Sequence, residues 1–104
     1  MSNLIQPVKV SILLAARNEE ANIERCLKSL DALQFPKENL EICIGDDDSS
    51  DKTAEIIQAY IKEKPQFKYY KISQQTDGLK GKANVLAQLA HVTTGDFLFF
   101  CVPD

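Results

Sequence analysis

With 104 residues, 44% hydrophobic and 26% charged, the chain has the make-up of one globular domain or part of one. Its net charge of -3 and its lack of arginines beyond Arg17 and Arg25 exclude a basic nucleic-acid-binding surface. No apolar run approaches the roughly 20 residues of a membrane span, no signal-peptide pattern opens the chain, and the odd set Cys26, Cys43 and Cys101, each inside an apolar pattern, reads as buried reduced thiols in a cytoplasmic protein.

Residues 1–7 read as an N-terminal extension and 8–104 as the domain. Val8 to Leu14 is apolar apart from Lys9 and Ser11 and predicts a first strand. From Glu19 to Leu33, Ile23, Cys26, Leu27, Leu30 and Leu33 recur at helical spacing, with Asn18 as the expected N-cap. Leu40 to Ile44 predicts a second strand, and Lys52 to Lys64 a second helix that turns Ile56, Ile57, Tyr60 and Ile61 inward and stops at Pro65. Phe67 to Ile72 predicts a third strand, followed by the Asp77–Gly78 loop. Lys80 to Val92 predicts a third helix burying Val85, Leu86 and Leu89, and Phe97 to Val102 a fourth strand. That last run is apolar on both faces, which predicts a central strand covered by helices on both sides. The chain stops at Asp104 straight after it, which suggests that the natural protein continues.

Strands alternating with helices predict an α/β fold: a three-layer, Rossmann-like parallel sheet with helices on both faces. The expected strand order is 3-2-1-4. Ligands of such sheets bind beyond the carboxyl ends of the strands, where the order reverses. Ala15 to Glu20, Asp46 to Asp51, Ser73 to Lys82 and Val102 to Asp104 emerge there, and they are the chain's most polar segments. Asp46, Asp47, Asp48 and Asp51 crowd so much like charge that a cation, hydrogen-bond donors or a ligand must relieve it.

Several motifs are excluded. Thr76 and Ala83 stand where a Walker loop needs Gly and Ser or Thr, and no Gly-x-Gly-x-x-Gly follows the first strand. The Asp46-x-Asp48-x-Ser50 start lacks the later glycine and glutamate of a calcium loop, since Asp51 and Ile57 stand there. There is no Cys/His zinc pattern, and His91 stands alone on the third helix.

What remains resembles a known family. Val10 to Glu20 (VSILLAARNEE) is similar to the first strand and loop of the family-2 nucleotide-sugar glycosyltransferases, which have the GT-A fold. Ile44 to Asp51 (IGDDDSSD) resembles their Asp-Asp-x-Ser-x-Asp segment, Gly78 to Asn84 (GLKGKAN) their Gly-Lys-rich loop, and Gly95 to Phe100 (GDFLFF) the strand that delivers their Asp-x-Asp metal motif. Two positions depart from the pattern: Ala15 replaces a proline, and Val102 replaces the first aspartate of the metal motif, leaving Asp104 alone.

The resemblance implies the N-terminal, donor-binding half of a GT-A domain, in an enzyme that transfers sugar from a nucleoside-diphosphate sugar, UDP-type, to an unknown acceptor. The catalytic base is expected beyond Asp104, so this fragment alone is expected to be inactive. Asp47 would accept hydrogen bonds from the base, with Asp46 supporting the loop. Ala16 and Glu19 would lie near the nucleotide, Glu19 being equally a first-turn helix acid. Lys80 and Lys82 would contact ribose or diphosphate, or be solvated surface residues, and Asn84 would pin their loop. Asp104 would hold Mg²⁺ or Mn²⁺, an expectation weakened by Val102, or be a solvated acid. Arg17 is expected to pair with an acid of the cluster, and Asp48, Ser49 and Asp51 to cap the second helix. The implied location is cytoplasmic, at the cytoplasmic membrane face where members carry further membrane helices. Two other classes stay open: a non-catalytic relative that has lost its metal motif, and a receiver-like domain with the acids as a phosphorylation pocket. Receivers carry their acidic pair after the first strand, where this chain has Ala15-Ala16-Arg17.

Overall fold

A computed structural model describes residues 8–76, 78–101 and 103. The elements run β1 (Val10–Ala16), α1 (Ile23–Asp31), a 3₁₀ turn (Lys37–Asn39), β2 (Leu40–Asp46), α2 (Thr53–Ile61), β3 (Phe67–Lys71), α3 (Gly81–Ala90) and β4 (Phe97–Cys101). The strands are parallel, in the order β3-β2-β1-β4, as the alternation of strand and helix predicts.

Side chains on successive strand residues point to opposite faces, and this divides the core in two. Ile12 and Leu14 of β1 and Ile42 and Ile44 of β2 face α1 and α2, where they meet Ile23, Leu27, Leu30 and Ile57. Leu13, Ala15 and Cys43 face the other way and meet Val85 and Leu89 of α3. Burying a Leu or Ile side chain contributes roughly 1.5–3 kcal/mol, so these two clusters hold the layers together. Cys43 is fully buried, and Cys26 and Cys101 are half-buried. Burial, reinforced by the charge of Glu41, pushes the Cys43 thiol up to about 11, so it stays protonated and inert.

Some boundaries differ from expectation. β1 and β2 each run two residues further, because the ladder between them continues through Ala15–Gly45 to Ala16–Asp46. α1 starts at Ile23 rather than after Asn18. Asn18 takes a left-handed conformation (φ 51°), and a turn closes behind it as the Asn22 and Ile23 amides donate to the Glu19 carbonyl. Leu33 falls beyond the helix and is exposed.

The larger correction concerns β4. It pairs with β1 alone in the described sheet, and α3 packs over β1 and β2 instead of over it. Phe97, Leu98, Phe99 and Phe100 are 56%, 41%, 57% and 63% exposed, so none of the described helices covers this strand. An uncovered apolar edge strand is a template for association. Taken alone, the stretch of residues 1–104 is expected to self-associate, and Phe99→Lys/Phe100→Lys to shift it toward monomer in sedimentation velocity. Equal sedimentation of both proteins as monomers would refute this.

A buried polar cluster lies at the amino end of the sheet, centred on Glu41. Glu41 of β2 is 3% exposed. Its Oε2 accepts from the Ser11 hydroxyl, the Thr94 amide (2.6 Å) and the Thr94 hydroxyl (3.3 Å), and its Oε1 from the Lys68 ammonium (3.0 Å). The Gly95 amide donates in turn to Ser11 Oγ at 2.9 Å. This cluster ties the α3–β4 turn to β1, β2 and β3. Among the described residues no helix is long and apolar enough to cross a membrane.

Candidate functional site

At the carboxyl ends of β1 and β2 two loops are laced together. The Asn18 amide donates to Ser49 Oγ (3.0 Å), and Asn18 Oδ1 accepts from the Ser50 amide (2.8 Å). The Glu19 amide donates to Thr53 Oγ1 (2.8 Å), the Lys52 amide to Glu20 Oε1 (2.9 Å), and the Asp47 amide to the Ala16 carbonyl (2.8 Å). The left-handed backbone of Asn18 is what turns its side chain toward the neighbouring loop, so the expected cap serves as a loop-to-loop clasp.

The acid cluster is relieved residue by residue. Asp46 is 1% exposed; its Oδ1 accepts from the Ser49 amide (3.1 Å) and its Oδ2 from the Tyr69 hydroxyl (2.7 Å). Asp47 faces Arg17 across 3.9 Å. Asp48, left-handed at φ 54°, faces Lys71 across 3.8 Å. Asp51 Oδ1 accepts from the amide and hydroxyl of Thr53, so of the three expected caps only Asp51 reaches the start of α2. Ser49 is used by Asn18 instead, and Asp48 points to β3. Arg17 does pair with an acid of the cluster.

A crevice opens on the α3 side of these loops, in two adjoining compartments that share Arg17 and Asp47. The larger, about 310 Å³, adds Lys80, Gly81 and the β3–α3 loop from Ile72 to Gln75. The smaller, about 60 Å³, adds Ala16, Glu19, Lys82 and Val85. Five of the sequence-predicted residues, Ala16, Glu19, Asp47, Lys80 and Lys82, therefore line one crevice. Asp46 does not: strand alternation turns it into the α1/α2 side with Ile42 and Ile44. Asp104, Val102 and Asp77 lie outside the described residues. Among the described residues the crevice lies over β1, β2 and β3, where three of the four expected segments meet and α3 closes its side.

Asn84, 3% exposed, pins the wall as expected: its Oδ1 accepts from the Thr76 amide (2.9 Å) and its Nδ2 donates to the Gln74 carbonyl (2.7 Å). Gln88 adds a second donor to the same carbonyl (2.7 Å). Sequence reasoning missed Tyr69, Thr53 and Gln88. Tyr69 had a signal, since parity places Ile44 opposite it in register and Asp46 two residues on, on the same face. Burial, then its hydrogen bond to Asp46, raises the Tyr69 phenol well above its ordinary value, so it remains a donor.

Among the described residues no three His, Cys, Asp or Glu side chains stand close enough to hold a metal ion. Of the described acids at the crevice, Asp47 faces Arg17 and Asp48 faces Lys71, and Asp104, the expected metal ligand, lies outside the described residues.

Residues 11–104 match the family model for glycosyl transferase family 2. A β-monoglucosyldiacylglycerol synthase of Trichormus variabilis is 40% identical over 89 residues, 86% of this chain and 19% of that protein. The probable glycosyltransferase YdaM of Bacillus subtilis is 36% identical over 102 residues, 98% of this chain and 24% of that protein. The chain thus spans about a quarter or less of these relatives' lengths. The structure of S. aureus TarS 1-349 in complex with UDP-GlcNAc superposes with a TM-score of 0.72 at 30% identity, over 90% of this chain and 26% of that one. A mannosyltransferase of Pyrobaculum calidifontis, in complex with GDP-Man and Mn²⁺, shares the fold with a TM-score of 0.75 at 22% identity, over 89% of this chain and 26% of that one.

Proposed function

Because the chain belongs to glycosyl transferase family 2, we propose that its crevice receives the nucleoside diphosphate of a sugar donor, in a full-length enzyme that passes the sugar to an acceptor. The observation that carries this reading is Asp47 at the junction of the two compartments, with Arg17, Lys80 and Lys82 around it. An acceptor-only carboxylate at this junction suits the N–H edge of a nucleobase, and a UDP-type donor is the proposed ligand. Ala16, with its small side chain, leaves room for that base, and Glu19 borders it. Lys80, Lys82 and the N-terminus of α3 supply cations and free amides, the groups that hold phosphate oxygens. The crevice binds and orients the donor, with the diphosphate among cations. A divalent ion held by Asp104, when bound, would offset the charge of the leaving diphosphate. Transfer itself is assigned to the full-length protein. The relatives at 40% and 36% identity are glycosyltransferases, which favours an enzyme over a non-catalytic relative.

Calorimetric titration with UDP and Mn²⁺ tests the reading. A hydrogen bond to a charged group contributes about 1.5–3 kcal/mol, so Asp47→Ala should weaken UDP binding about ten- to hundredfold. Identical, absent binding in both proteins would overturn it.

A further inference from the structure

The geometry points to Tyr69 as a positioning residue for the crevice, acting through the buried carboxylate of Asp46 on the loop that presents Asp47; this rests on the donor-site reading above. Tyr69 sits on β3, its ring packed against the α1/α2 core, and its hydroxyl donates to Asp46 Oδ2 at 2.7 Å. Asp46 then holds its own loop from both ends. Its Oδ1 accepts from the Ser49 amide, and its carbonyl accepts from the Asp48 amide (2.8 Å) and the Ile72 amide (2.8 Å). Asp47 is the residue enclosed by these bonds. Ser49 passes the constraint on, because its Oγ receives the Asn18 amide next to Arg17. A single relay, Tyr69–Asp46–Ser49–Asn18, therefore joins β3 to the two loops that carry Asp47 and Arg17.

The relay has no slack. Asp46 is 1% exposed, so water cannot replace the Tyr69 hydroxyl. Without that donor, half of a buried carboxylate loses its partner, and the loop can recover only by turning Asp46 toward solvent. That movement carries Asp47 with it. Tyr69 itself touches neither compartment, so its effect on a ligand must pass through Asp46.

A second phenol–carboxylate bond, remote from the crevice, serves as the control. Tyr60 Oη donates to Asp31 Oδ2 at 2.9 Å, beside the amino ends of the strands and away from the crevice. Tyr69→Phe and Tyr60→Phe each delete one phenol–carboxylate bond and keep the ring, but Asp31 keeps Lys37, Lys64 and Gln66 as donors, so Tyr60→Phe costs less stability. UDP and GDP, each with Mn²⁺, are the probes, and the Asn18, Asp47 and Ser49 amide resonances report the loops directly. Tyr69→Phe should weaken UDP binding about tenfold, bring the UDP-to-GDP affinity ratio toward one, and shift those resonances. Tyr60→Phe should leave all three unchanged. A general loss of stability would lower the titrated stoichiometry of both variants and leave the affinity ratio alone.

Wild-type affinity and ratio in Tyr69→Phe, or the same losses in Tyr60→Phe, would overturn the proposal. If the wild-type protein binds neither nucleotide, the donor-site reading falls. The resonances then decide the relay alone: shifted only in Tyr69→Phe they uphold it, and unshifted they overturn it.

Discussion

At pH 7, Glu41→Ala should melt roughly 15 °C below the wild-type protein, the size of shift that about 3 kcal/mol produces in a domain near 100 residues. Three facts set that magnitude. Glu41 is buried, it accepts from four side-chain or backbone groups, and it carries a charge matched by Lys68. Removing one partner of a buried charged network costs about 3–5 kcal/mol, because the remaining groups stay buried without acceptors. Here the Ser11 hydroxyl, the Thr94 amide and the Lys68 ammonium would be left. Lys68 is 45% exposed and rehydrates, which puts the loss at the lower end.

The pH dependence follows from the same carboxylate. Burial alone would raise its pKa, but the bonds from Ser11, Thr94 and Lys68 outweigh burial and hold it at about 2, against 4.5 for the free group. A lowered folded-state value means that the unfolded chain binds the proton first. The stabilisation is complete above pH 4.5 and is lost as the pH falls from there toward 2. The difference between wild type and Glu41→Ala should therefore be constant near neutrality and shrink across that acid range. Thermal melts at pH 7 and at steps below 4.5 check it. Equal melting temperatures at pH 7, or a gap that widens in acid, would contradict the account.

Gly45→Val should lower stability by about 3 kcal/mol, the upper end of ordinary overpacking, and weaken nucleotide binding although Gly45 touches no ligand compartment. Gly45 lies in β2 beneath α3. A Cβ there would collide with Val85 Cγ1 and sit 3.2 Å from Leu89 Cδ1. Both partners are fully buried and cannot swing aside, so α3 must lift from the sheet. Lys80 and Lys82, at the start of α3, would move with it and reshape the crevice wall. The collision is specific enough to be tested by compensation. Gly45→Ala/Val85→Ala should be more stable than the sum of its single variants implies, by about 1 kcal/mol in denaturant unfolding. Strict additivity would show that Gly45 and Val85 do not meet.

The residues by themselves determined the parallel sheet, its order and the identity of the crevice loops. Hydrophobic period is a local property, and a strand–helix alternation admits few topologies. The polar segments after β1, β2 and β3 had to emerge at one edge, and five residues read as site members do line one crevice there. What the sequence left unresolved depends on partners distant along the chain. Asp46 and Asp47 are the same residue type in adjacent positions. Only the length of the β1–β2 ladder fixes which one faces Tyr69 and which faces Arg17. Asn18 reads as a helix cap until its left-handed backbone places it against Ser50, 32 residues away. Glu41 looks like a polar residue in a strand until Thr94 and Lys68 close over it. β4 reads as a strand covered on both faces from composition alone, yet burial is a relation between elements, and α3 packs on β1 and β2. Periodicity is encoded residue by residue and can be read directly. The partner that satisfies a buried charge is chosen only when the folded layers bring remote segments within hydrogen-bonding distance.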